Sequence, residues 1–143
     1  MEIKLYLAYS WDMYPEYMYQ HLERNCQYVG KTYLKSYRLC FRGDSGKAKA
    51  TLEAASGAVT PCVLWLITAK GEAILASEFD GFEKVELPVT YCGFATKALT
   101  FVMQPGKPLR APEAETVVIT RDAYKLQNIP TSLLDQAVQR SSV

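Results

Sequence analysis

Histidine is almost absent from this chain, His21 being the only one in 143 residues, and that scarcity removes much chemistry at once. The cysteines Cys26, Cys40, Cys62 and Cys92 are widely spaced and form no Cys-x-x-Cys pair, so a zinc site has no ligand set of the usual spacing. No serine or cysteine motif accompanies His21 as a nucleophilic triad would need, and a solvent-exposed position on a helix is expected for it. Charge of one sign is also lacking: 16 Lys+Arg against 15 Asp+Glu leave a net charge of +1. Without a basic excess, a nucleic-acid partner is not expected. No stretch is long and apolar enough to cross a bilayer, and the N-terminal residues do not form the continuous apolar core of a signal peptide. No membrane partner is expected, and the protein is expected in the cytoplasm. There the thiols stay reduced, and Cys40 and Cys62, inside apolar runs, act as small core hydrophobes.

What the chain does have is enough apolar material for one substantial core, with 49% hydrophobic residues, so a single domain over residues 1–143 is expected. Ile3, Leu5 and Leu7 alternate with Lys4, Tyr6 and Ala8, the period of a half-buried strand. That strand delivers the loop Tyr9-Ser10-Trp11-Asp12, where a pocket is expected. Tyr17, Met18 and Leu22 then predict a short helix between Tyr14 and Asn25, with Pro15 in its first turn. Gly30 breaks it. A strand follows from Thr32 to Phe41, and Arg42 to Lys47 reads as a turn.

Ala48 to Glu53 predicts a short strand, and Ser56-Gly57 a turn before the most apolar run, Ala58 to Ile67. Such density of branched and aromatic residues suits a central strand buried on both faces, entered near Pro61. Thr68 should cap a helix from Ala69 to about Phe79, with Ala73, Leu75 and Ala76 facing the core, and Asp80-Gly81 should end it. Further strands are expected from Phe82 to Thr90, with Val85, Leu87 and Val89 inward, and from Lys97 to Gln104. A proline-rich loop then leads to helices Glu113–Gln127 and Thr131–Arg140. The order gives an α+β domain: a curled mixed β-sheet or small barrel of five to six strands, with surrounding helices.

In that order, the segments resemble the γ-glutamylcyclotransferase family, which includes the avirulence-induced and butirosin-deprotecting relatives. Tyr6-Leu7-Ala8-Tyr9-Ser10-Trp11-Asp12-Met13 resembles the family's Tyr-Phe-Ala-Tyr-Gly-Ser-Asn-Met opening. Leu34 to Phe41 is similar to its Leu-x-Gly-Tyr-Arg-Leu-x-Phe strand, Gly57 to Thr68 to its Gly-x-x-Val-x-Gly-Val-Leu-Tyr-x-Leu-Thr segment, and Ala98 to Val102 to Ala-x-Thr-Tyr-Val. Glu78-Phe79-Asp80-Gly81 falls where the family places a helix-ending Glu-Gly, and Pro112 to Pro130 resembles its closing helix and Gly-Leu-Pro exit. The resemblance implies an acyltransferase chemistry without a cofactor. The loop backbone holds a γ-glutamyl group, and a carboxylate carries a proton as the α-amine attacks the γ-amide, releasing 5-oxoproline.

Carried over residue by residue, Asp80 takes the place of the catalytic glutamate, and Tyr9, Ser10, Trp11 and Asp12 form the substrate-binding loop. Ser10 stands for a glycine, Trp11 for a serine, Asp12 for an asparagine, and Thr116 for a pocket tyrosine. Asp80 is one methylene shorter than the residue it replaces; Glu78 and Glu83 are nearby carboxylates, each of which reads by itself as a solvated charge. Trp11 is either a pocket wall that stacks a flat ligand or a plug of core, and Asp12 by itself reads as a helix N-cap. Two functions are therefore expected. One is a γ-glutamylcyclotransferase-like enzyme acting on a γ-glutamyl amide or related small amine conjugate. The alternative is a catalytically inactive small-molecule-binding protein whose pocket is remodelled by Trp11 and Asp12.

Overall fold

A computed structural model describes residues 2–44 and 46–142. Strand β1, Ile3–Ala8, runs up the middle of a mixed sheet. It pairs antiparallel with β3, Lys49–Thr68, from Ile3 opposite Thr68 to Ala8 opposite Val63, and parallel with β5, Phe94–Met103, at Tyr6 and Leu99. Strand β2, Cys26–Arg42, lies outside β3, and β4, Phe82–Tyr91, lies outside β5, giving the order β2-β3-β1-β5-β4. Helix α1, Pro15–Leu22, follows β1; α2, Ala69–Glu78, joins β3 to β4; α3, Ala114–Leu126, and α4, Ser132–Ser141, finish the chain. This is the expected α+β architecture with five strands, and the sheet is curled but not closed as a barrel. Its two edges meet through side chains: Thr32 Oγ1 donates to the Thr90 carbonyl at 2.7 Å and the Tyr91 hydroxyl to the Val29 carbonyl at 3.0 Å.

The strands differ from expectation where the chain stays paired through a glycine. Residues Lys49 to Thr68 are one strand, because Ser56-Gly57 does not turn the chain back. Ala55 to Ala58 bulge out opposite Ser36, between the pairs Lys35–Val59 and Tyr37–Ala54. Gly57 (φ 80°) and Ser36 (φ 67°) adopt the left-handed conformations that this bulge requires. Of the Arg42–Lys47 turn, Lys47 N–H closes on the Asp44 carbonyl at 2.9 Å, and Ser45 lies outside the described residues.

Strand β1 also departs from simple alternation: Tyr6, Leu7 and Ala8 are all buried, because the concave and convex faces of a central strand are both covered. Cys62, Val63, Leu64 and Trp65 of β3 are buried in the same way, as the apolar run predicts. Val85, Leu87 and Val89 alternate inward on β4, with Val85 less completely covered. The β4–β5 hairpin turns through Cys92 (φ 50°) and Gly93 (φ 82°), the pair of positive angles that two-residue hairpins need. Cys26, Cys40 and Cys62 are buried free thiols, whereas Cys92 is exposed.

Helix α2 starts as read from sequence, with Gly71 N–H donating to the Thr68 hydroxyl at 3.1 Å. Only Leu75 of the expected inward trio is buried; Ala73 and Ala76 are exposed, because the helix rests on Gly71, Leu75 and Phe79 instead. Gly71 lets the helix touch the preceding segment, since a Cβ there would sit 2.6 Å from the Asn25 carbonyl oxygen. Alanine gains about 1 kcal/mol of helix propensity over glycine, but forcing a methyl against rigid backbone costs about 1–3 kcal/mol. Gly71→Ala is therefore expected to lower the midpoint of thermal unfolding; a raised midpoint would show that α2 can move away freely.

Candidate functional site

The loop that leaves β1 is held from beneath by a buried polar cluster. Ser10 precedes a 3-10 turn, Trp11–Met13, which closes through Met13 N–H on the Ser10 carbonyl at 3.1 Å. The Asp12 carboxylate, fully buried, accepts the Tyr6 hydroxyl and, at 3.1 Å, the Ser10 backbone N–H. The indole N–H of Trp65 donates to the Asp12 carbonyl at 3.1 Å, and the Gln127 amide to the Met13 carbonyl at 3.3 Å. Tyr9 fixes the loop to β5 by donating its hydroxyl to the Phe101 carbonyl at 2.6 Å. Burial raises the Asp12 carboxyl pKa to about 6, against the pull of the Tyr6 hydroxyl and the Ser10, Asp12 and Tyr9 backbone groups. Burial likewise holds Tyr6 and Tyr9 well above the ordinary tyrosine range, with the Asp12 charge adding to it.

Above this cluster lies a cavity of about 230 Å³ between the first loop, the start of β3, the end of α2 and the start of α3. Ser10 and Trp11 form one side, Lys49 and Ala50 another, with Glu78, Phe79, Phe82 and Thr116 completing the lining. The volume is small beside the roughly 300–1,000 Å³ of drug-sized pockets, and suits a ligand of amino-acid dimensions. Trp11 is half-buried and stacks on Phe79, with centroids 6.1 Å apart and planes at 21°. Phe79 in turn stacks on Phe101 at 5.4 Å. The indole is thus a wall of the cavity and does not fill it. Its other edge meets the exposed His21 ring at 4.9 Å, while His21 Nδ1 lies 2.8 Å from the Tyr17 carbonyl.

The structure separates the residues that the sequence groups together. Ser10, Trp11 and Thr116 line the cavity. Tyr9 and Asp12, expected in the binding loop, are buried beneath it, and Asp12 caps no helix with its side chain. Asp80 is exposed in the turn after α2 and is not part of the lining; Glu78, at the last turn of the helix, is. The physical reason is the anchor between them: Phe79 is buried in the core, so its neighbours are carried to opposite sides of the chain. Lys49 escaped the sequence reading because a lone lysine at a strand start carries no motif. Among the described residues no three His, Cys, Asp or Glu side chains gather as a metal site would require.

No family model matches the chain, and no curated protein matches it in sequence. Solved structures do. An uncharacterized protein from Homo sapiens aligns with a TM-score of 0.82 at 17% identity, over 96% of this chain and 87% of its own. A γ-glutamyl cyclotransferase aligns at 0.80 and 18% identity, over 95% of this chain and 86% of its own. This is the γ-glutamyl cyclotransferase fold. An AIG2-like protein of Mus musculus shares the fold more loosely, with a TM-score of 0.59 and 11% identity over 82% of this chain and 84% of its own. On the γ-glutamyl cyclotransferase fold of this chain, the cavity joins the first loop to the end of α2, two of the segments that carried the resemblance in sequence. Among the described residues no helix is long and apolar enough to cross a membrane.

Proposed function

We propose that the chain is a cyclotransferase for small γ-glutamyl amides, with Glu78 as the proton carrier. The observation that supports this most directly is the pairing of one carboxylate, Glu78, with one ammonium, Lys49, in the lining of a single amino-acid-sized cavity. A γ-glutamyl amide presents the complementary groups, an α-carboxylate for Lys49 and an α-amine within reach of Glu78. In the reaction the α-nitrogen bonds to the γ-carbonyl carbon, and the bond from that carbon to the leaving nitrogen breaks. The proton lost by the attacking amine passes through the Glu78 carboxylate to the leaving nitrogen, so one side chain serves both transfers. The products are 5-oxoproline and a free amine. Trp11, Phe79 and Phe82 give the amine side an apolar wall, which favours an amine with a flat or hydrocarbon substituent.

A panel of γ-glutamyl amines, followed by quantifying 5-oxoproline, tests the reading; absence of product from every member would remove it. Lys49→Gln is expected to raise KM roughly tenfold or more with a smaller change in kcat, since a charge-assisted hydrogen bond to the substrate carboxylate is lost in ground and transition states alike. An unchanged KM would take Lys49 out of substrate binding.

A second reading is favoured by Trp11, whose indole walls the cavity where the family resemblance has a serine. In that reading the cavity binds a flat small molecule without turning it over. Its signature is a change in tryptophan fluorescence on ligand addition that Trp11→Ala loses, with no 5-oxoproline formed.

A further inference from the structure

One wall of the cavity rests on a carboxylate that does not reach it. Asp12 is fully buried, while its neighbours Ser10 and Trp11 line the cavity. Its Oδ1 accepts the Ser10 backbone N–H at 3.1 Å, and its Oδ2 accepts the Tyr6 hydroxyl. The turn is also pinned through its carbonyls, by the Trp65 indole N–H at Asp12 and the Gln127 amide at Met13. Those two bonds do not change with pH, whereas the one at Ser10 depends on a group that can gain a proton.

The two charge states hold the turn differently. Ionised, Asp12 accepts both donors in charge-assisted bonds, roughly twice as strong as neutral ones. A proton on Oδ2 makes the carboxyl a donor toward Tyr6, whose oxygen must then accept, and leaves the Ser10 N–H with a neutral carbonyl. Ser10 is then held more weakly while Asp12 and Met13 stay pinned. Around Asp12 the other titratable groups stay neutral. Burial holds Tyr6 and Tyr9 well above the ordinary tyrosine range and pushes the Cys62 thiol of β3 up, with the Asp12 charge adding in each case. Helix α3 reaches the turn through Gln127, which does not titrate. Nearer the cavity, His21 lies against the outer edge of Trp11, and Lys49 and Glu78 are in the lining.

We propose that Asp12 is a proton-controlled positioning residue: its ionised form fastens the Ser10–Trp11 wall and protonation loosens it, so that the cavity holds its ligand more tightly when Asp12 is charged. The proposal rests on reading the cavity as the γ-glutamyl amide site. The family resemblance has an asparagine here, which cannot titrate, so the control belongs to this chain.

The test starts without substrate, with NMR of the full chain from about pH 4.5 to 8. The Ser10 amide, the Trp11 indole N–H and the Thr116 amide across the cavity should shift with one shared midpoint of about 6. A shift confined to Ser10 would mean that the carboxylate titrates without moving the wall, and would overturn the proposal. Asp12→Asn should abolish the shared shift and His21→Gln should leave it; the reverse pattern would assign the response to the histidine. Tyr6→Phe deletes a bond that favours the charge, so it should raise the midpoint. That variant decides if Asp12→Asn does not fold, and an unmoved midpoint counts against the proposal. With a γ-glutamyl amine that is turned over, the wild-type KM should fall roughly fivefold relative to that of Asp12→Asn as pH rises through the midpoint, with parallel kcat profiles. A constant ratio of the two KM values would overturn the proposal. If no amine is turned over, the reaction is removed, and the substrate-free shifts still decide whether Asp12 controls the wall.

Discussion

Glu78→Gln is expected to cut the rate of 5-oxoproline release by roughly 100- to 10,000-fold, the range that a positioned acid/base contributes. The amide keeps the size and polarity of the carboxylate but cannot take up and hand on a proton. Glu78 is exposed at the end of α2, so the fold has little to lose from the change. Asp80→Asn is the internal control. Because Asp80 lies in the exposed turn outside the cavity lining, its variant should retain activity within a factor of about two, as exposed substitutions remote from a site generally do. If the effects are reversed, with Asp80→Asn inactive and Glu78→Gln active, then the turn after α2 rearranges on binding and the aspartate is the proton carrier. Equal activity in both variants would take each of them out of the mechanism.

Asp12→Ala should be the most damaging single change to stability in the first loop. It strands two buried donors, the Tyr6 hydroxyl and the Ser10 N–H, at about 1–3 kcal/mol each. The loss is expected to depend on pH. Asp12 has a folded pKa of about 6 against an ordinary value of 3.8, so the folded chain keeps a proton that the unfolded chain releases first. The resulting stabilisation is complete below about pH 4 and is lost as pH rises to about 6, by about 3 kcal/mol in total. Above that window the wild type carries a buried, ionised carboxylate, and replacing it relieves part of its desolvation cost. Asp12→Ala should therefore cost several kcal/mol at pH 5 and distinctly less at pH 8 in denaturant titrations. A loss of equal size at both pH values would mean that Asp12 does not titrate in this window.

These two carboxylates also show where sequence reading succeeds and where it stops. Local signals that depend on a few adjacent residues were reliable: the Thr68 cap, the helix of Met18 and Leu22, and the inward faces of Leu87 and Val89. The order of segments was enough to recognise the fold, although overall identity to the aligned γ-glutamyl cyclotransferase is 18%. Ser56-Gly57 misled because a glycine at positive φ serves a bulge as readily as a turn, and only the pairing of β3 with β2 on both sides tells them apart. Asp12 and Asp80 lie outside the cavity lining for a related reason: a motif position states which residue occupies a site, not which way its side chain is carried.

Amino-acid order alone was sufficient for the α+β class, the central apolar strand and the loop after β1 as a cavity wall, since each follows from periodicity, capping or segment order along the chain. Tertiary packing alone decided that Glu78 and Lys49 share a cavity and that Asp12 is a buried strut. Glu78 and Lys49 are far apart in sequence. Their meeting is set by how a curled sheet brings its strands against helices, a property of long-range contacts that no local pattern encodes.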